Sequence, residues 1–166
     1  MNILVSELFA LVEKAESRDQ KIDLLRKNDC GILRFILSLN FNPDFNLTLP
    51  EGAPPYKKDS NRPIGYQQTT LQNEWRRMYI WQDPNINLTR LKKESLFIEM
   101  LEGLHYTEAD LLCASKDGNL ETIYKSITED LIRDAYPNIF PFPPTIKEEV
   151  SVPAKKPARK KKEALV

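Results

Sequence analysis

Chemistry-bearing side chains concentrate in the stretch TRLKKESLFIEMLE, residues 89 to 102, where Arg90, Lys92 and Lys93 lead and Glu99 and Glu102 follow. Read as a helix, this places three cations in a first turn. Positive charge there opposes the helix dipole at about 0.3–1 kcal/mol per residue. Amide groups of a helix start combined with cations make a fair phosphate site; pairing with acids such as Glu74 or Asp83 is the competing expectation. Glu99 and Glu102 lie on one polar stripe, and Glu108, Asp110, Glu129 and Asp130 crowd nearby helix starts. A two-metal nuclease would use such acids, yet acids at helix starts also answer the dipole, and no recognisable spacing or strand scaffold accompanies them. The one histidine, His105, could serve as a general base. It falls in a turn, residues 103 to 107, where a structural hydrogen bond is the commoner job.

The remaining inventory removes most enzyme classes. The five glycines, at 31, 52, 65, 103 and 118, are all isolated, so there is neither a phosphate-cradling Gly-rich loop nor a dinucleotide fingerprint. One histidine with Cys30 and Cys113 at no ligand spacing does not make a usual zinc site. The expectation is a non-enzymatic protein with no catalytic residues, no metal and no cofactor.

Two surfaces stand out instead. The C-terminal tail carries Lys155, Lys156, Arg159, Lys160, Lys161 and Lys162 against the single acid Glu163. The chain has 24 basic and 24 acidic residues, so the rest is about five charges negative and the tail about five positive. Such a tail binds phosphates with salt-dependent, sequence-indifferent affinity, and Arg90, Lys92 and Lys93 are nucleic-acid candidates with it. The second surface is apolar among arginines. In TLQNEWRRMYIWQ, Leu71, Trp75, Met78 and Tyr79 share one helical face, which leaves Ile80 on another, framed by Arg76 and Arg77 with Trp81 at its edge. That pattern resembles the centre of a protein interface. Phe140 and Phe142 in IFPFPPTIK join it as partner-binding candidates, the alternative being that this strip folds back along a groove.

The elements that position these residues are helical. Leu4, Leu8, Leu11 and Val12 keep amphipathic spacing. Ser17 with Gln20 forms a capping box for a second helix running to Lys27, and CGILRFILSL reads as a third. Residues 40 to 50 alternate apolar and polar, which predicts a short extended segment. The prolines and glycines of 50–68 predict a long internal loop. Thr69 or Thr70 caps the next helix. Residues 89–102 are apolar over more than half the circumference, with Leu91, Leu96, Phe97, Ile98, Met100 and Leu101, which predicts the central helix of the bundle. Thr89 or Asn87 would cap it and Gly103 would end it in a left-handed conformation. Thr107 with Asp110, then Leu120, Ile123 and Tyr124, then Thr128 mark three further short helices, with Ile127 and Ile132 as a staple and Pro137 closing the last. The fold class is therefore mostly α: one compact domain of about seven helices over residues 1–146 with the Pro-rich loop inside it, followed by a disordered basic tail, 147–166.

At 166 residues and 41% hydrophobic, the chain can bury a sizeable core. Its apolar runs are broken by charge too early to span a bilayer, so no membrane partner is expected. Cys30 and Cys113 sit beside apolar neighbours and read as reduced thiols.

The stretches SELFALVEKAESRDQKIDLLRKND, LPEGAPPYKKD and KKESLFIEMLEGLHYTEADLLCASKDG resemble an uncharacterised family of small proteins from large contractile-tailed bacteriophages, a domain of unknown function. The resemblance covers most of residues 6 to 135 and implies a phage protein acting in the host bacterial cytoplasm, or packaged in the virion. It assigns no catalytic or binding residue. Together these readings lead to the expectation of an accessory protein that binds a phage or host protein, with nucleic acid contacted through the tail. A structural virion component and a small hydrolase or nuclease stand as alternatives.

Overall fold

A computed structural model describes residues 3–139. Among the described residues nine α-helices follow one another: α1 Val5–Lys14, α2 Arg18–Lys27, α3 Gly31–Phe41, α4 Leu71–Glu74, α5 Tyr79–Gln82, α6 Arg90–Gly103, α7 Tyr106–Lys116, α8 Leu120–Ile123 and α9 Glu129–Ala135. A 3-10 turn, Trp75–Arg77, joins α4 to α5. The described residues contain no strand. The expected extended segment instead crosses the core edge as coil, with Leu47 buried, Phe45 edge-on to Phe35 at 5.4 Å, and Thr48 N–H donating to Trp81 O at 2.6 Å.

Side chains close in sequence set most helix starts. Ser17 Oγ accepts from Gln20 N while Gln20 Oε1 accepts from Ser17 N, the reciprocal box expected. Thr70, Thr89 and Thr128 each accept from the amide three residues on. Leu4 has no acceptor to cap α1, and there Glu7 reaches back to Leu4 N at 2.9 Å. Gly118 ends α7 at φ 71, where a side chain would be strained.

Two further expectations fail. Gly103, the last residue of α6, adopts no left-handed conformation; it is a point of close packing, where a Cβ would stand 3.2 Å from Thr69 Cγ2. The second correction concerns the centre of the bundle, which is α7 rather than α6. Helix α7 packs against α1, α3, α6 and α8, whereas α6 meets α7 and leaves Leu91 77% exposed. Short side chains explain this. Ala109, Cys113 and Ser115 are buried on α7 and let neighbouring backbones come close, and Ser115 Oγ donates to Leu111 O so that its hydroxyl carries no unmet bond. Burial pushes the Cys113 thiol up to about 11.

The Pro-rich segment is a tied strap. Tyr56 Oη donates to Asp110 at 2.8 Å, Lys57 N to Glu102 at 3.0 Å, and Gly52 N to Asp117 at 3.0 Å. Burial, with the Asp110 carboxylate beside it, raises the Tyr56 phenol above its ordinary value. At the far end of the chain Arg26 donates to the carbonyls of Asp134 and Ala135, cationic partners at the end of α9.

Candidate functional site

The start of α7 gathers the residue types that nucleophilic chemistry uses, and it spends them on the fold. His105 caps α7 in place of the expected Thr107: its Nδ1 accepts from Thr107 N at 3.4 Å. His105 Nε2 lies 2.9 Å from Arg62 O, and a carbonyl only accepts, so Nε2 carries the proton and Nδ1 is the acceptor. Thr107 Oγ1 then donates to Nδ1 at 2.7 Å, and Ser6 Oγ donates to Thr107 Oγ1 at 2.9 Å. Beside this chain Glu108, 1% exposed, accepts from Val5 N at 3.3 Å and from Leu71 N at 3.0 Å. Those two amides are the first of α1 and α4, so one carboxylate answers two helix starts. Burial pushes the Glu108 carboxyl above its ordinary value, opposed by the two amides and reinforced by Glu7. Ser6, Thr107 and Glu108 were not singled out as a unit from sequence. A signal existed for one of them: Glu108 is three and four residues before Leu111 and Leu112, on the buried face of the helix.

Two clefts flank the beginning of the strap. The larger, about 640 Å³, is lined largely by polar groups, among them Asn40, Asn42, Asn46, Asp117 and Asn119. The smaller, about 250 Å³, is apolar, with Leu49, Pro54, Pro55, Phe97 and Ile98. Lys116 stands between them, its Nζ donating to Pro50 O at 2.8 Å and to Asp117.

The start of α6 carries the expected cations. Arg90 pairs with Glu94 one turn on, at 2.7 Å, rather than with Glu74 or Asp83; Glu74 is taken by Arg77 at 2.8 Å. Lys92 is exposed. Lys93 is 7% exposed, so the third nucleic-acid candidate of this turn does not face solvent. Leu88 and Leu91 are exposed on either side of Arg90.

Of the interface residues expected on the preceding segment, Trp81 is corrected. Trp81 is fully buried: it packs edge-on to Phe97 at 5.6 Å, and its Nε1 donates to Lys93 O at 2.9 Å. Tyr79, expected inside, is 56% exposed. The cause is the 3-10 turn, with Met78 N bonded to Trp75 O and Trp81 N to Met78 O. Each 3-10 residue turns about 120° instead of 100°, so the register rolls forward and carries Trp81 into the core. Ile80 is half-buried against that core, while Arg76 and Arg77 remain at the surface. Phe140, Phe142, Lys155, Lys156, Arg159, Lys160, Lys161 and Lys162 lie outside the described residues.

Among the described residues no three His, Cys, Asp or Glu side chains group as a metal site, and no helix is long and apolar enough to cross a membrane. These features define a small all-α protein with its polar network turned inward and a cationic, apolar helix start turned outward. The chain belongs to a family of unknown function, DUF6433, whose family model matches residues 8–122. No curated protein and no solved structure matches it.

Proposed function

We propose that this protein is a non-enzymatic accessory factor that docks a protein partner on the first turn of α6. The observation that carries the reading is Leu91, 77% exposed on a helix start that Thr89 caps. Leu88, three residues earlier, is also exposed, and Arg90 and Lys92 flank the pair. Apolar side chains framed by cations suit a partner surface that is apolar with an acidic rim. The resemblance to proteins of contractile-tailed phages supports placing that partner, phage or host, in an infected bacterial cytoplasm.

A photo-crosslinking residue at position 91, with one at Ile123 as the exposed control, tests this in infected cells. A discrete protein adduct at 91 that is missing at 123, and that Leu88→Asp abolishes, is the expected result. Equal labelling at both positions, or none at 91, removes the reading.

The six cations of the tail favour a second one, contact with nucleic acid. Mobility of DNA and RNA with the full chain and a chain ending at residue 150, across a salt series, tests it. No shift at low salt rejects it. Abundant recovery from purified particles would instead favour a virion component.

A further inference from the structure

Lys93 is the buried cation of the α6 first turn, where among the described residues only Arg90 has a carboxylate partner. It is 7% exposed, and among the described residues its Nζ makes a single long hydrogen bond, 3.4 Å to Thr48 Oγ1, and pairs with no carboxylate. A buried cation without a counter-ion is costly unless something negative arrives to meet it.

Its surroundings show where that would happen. Helical side chains lean toward the N-terminus of their helix, which carries the Lys93 amine back over the first turn, to Thr48. Thr48, Leu49, Pro50 and Arg90 line an open cleft of about 300 Å³ at this point. The walls are fixed in advance. Thr48 donates through both N and Oγ1 to Trp81 O, at 2.6 and 2.8 Å, and Trp81 Nε1 returns a bond to Lys93 O. Arg90 gives its Nε to Glu94, and among the described residues no hydrogen bond holds the two terminal nitrogens of the guanidinium. Across residues 89–95 three cations face one acid, Glu94, so two positive charges remain over.

We propose that this cleft binds a phosphoryl-type oxyanion, with Arg90 presenting its terminal nitrogens to the oxygens and Lys93 supplying the charge behind Thr48. Several oxygens spread over a tetrahedral group can use a planar fork and a separate ammonium together, whereas a flat carboxylate satisfies the fork alone. The first amides of α6 add to the field.

Thermal unfolding of the purified full chain tests this at constant ionic strength, with inorganic phosphate replacing chloride and acetate as the carboxylate arm. Because no partner protein is present, the outcome is separate from that of the docking reading. A saturable rise in Tm with phosphate is expected, weaker with acetate and absent with chloride. Arg90→Ala and Lys93→Met, the latter keeping the buried stem, should each weaken the phosphate response by about tenfold or more. Amide shifts at Thr48, Arg90 and Lys93 during a phosphate titration of the unmutated chain give a readout independent of the variants. Phosphate no better than chloride, a response that survives both substitutions, or shifts confined to other residues would overturn the proposal.

Discussion

Helices α6 and α7 follow each other across a single tight connection, and both have a capped start, yet the two starts are resolved in opposite ways. At α7 the first-turn acid Glu108 is buried and accepts from the amides of two other helices, while Ser6, Thr107 and His105 use up their hydrogen bonds on one another and on Arg62 O. At α6 the first turn holds three cations, one exposed leucine and a single local ion pair. A helix start whose polar groups are answered from within is a structural joint. One that stays unanswered, on rigid support, is available to something outside the molecule.

The contrast depends first on Trp81, which supports α6 from below. Trp81→Ala should cost about 3–5 kcal/mol, from a large cavity and the loss of the bond to Lys93 O, read by denaturant unfolding. A smaller cost would mean that α6 is held in place without it.

Glu108 tests the inward start. Glu108→Ala leaves two buried amides without an acceptor and should cost about 3 kcal/mol. Its carboxyl also titrates higher in the folded chain than the ordinary 4.5, so the folded state holds the proton over a range in which the unfolded chain has released it. Stability from this group is therefore greatest below about 4.5 and falls as pH rises through the elevated folded value. Glu108→Gln should remove that slope, as unfolding followed from pH 4 to 8 would show; a slope unchanged in the variant assigns it to other groups.

The outward start should be far less sensitive. Thr89→Ala removes one cap and should cost about 1 kcal/mol. Leu91→Asp should move stability by no more than about 0.5 kcal/mol, because that side chain is 77% exposed. Loss of several kcal/mol in either variant would show that the α6 start is a joint of the fold like that of α7.

Local features were legible in the chain and long-range ones were not. The caps at Ser17, Thr89 and Thr128, the stop at Gly118 and the irregular course of 50–68 all follow from residues within four positions of each other. The helix of residues 71–82 was legible only in part, since nothing in TLQNEWRRMYIWQ marks where three residues wind more tightly, and that small change exchanges Tyr79 and Trp81 between surface and core. The cations of the α6 start were visible as an anomaly. That Lys93 is buried while Leu91 is exposed was not, because both fit an apolar-looking helix when its neighbours are unknown.

By itself the sequence determined a mostly α domain, most of its helix starts and stops, and the concentration of positive charge at residues 90–93 and in the tail, because each depends on near neighbours or on composition. Only the tertiary structure decided that α7 is the centre, that Glu108 serves amides 103 and 37 residues away, and that the face of α6 carrying Leu91 looks outward. A hydrogen bond or a burial between segments so far apart along the chain leaves no periodic trace in either of them; it exists once packing has brought both to the same place.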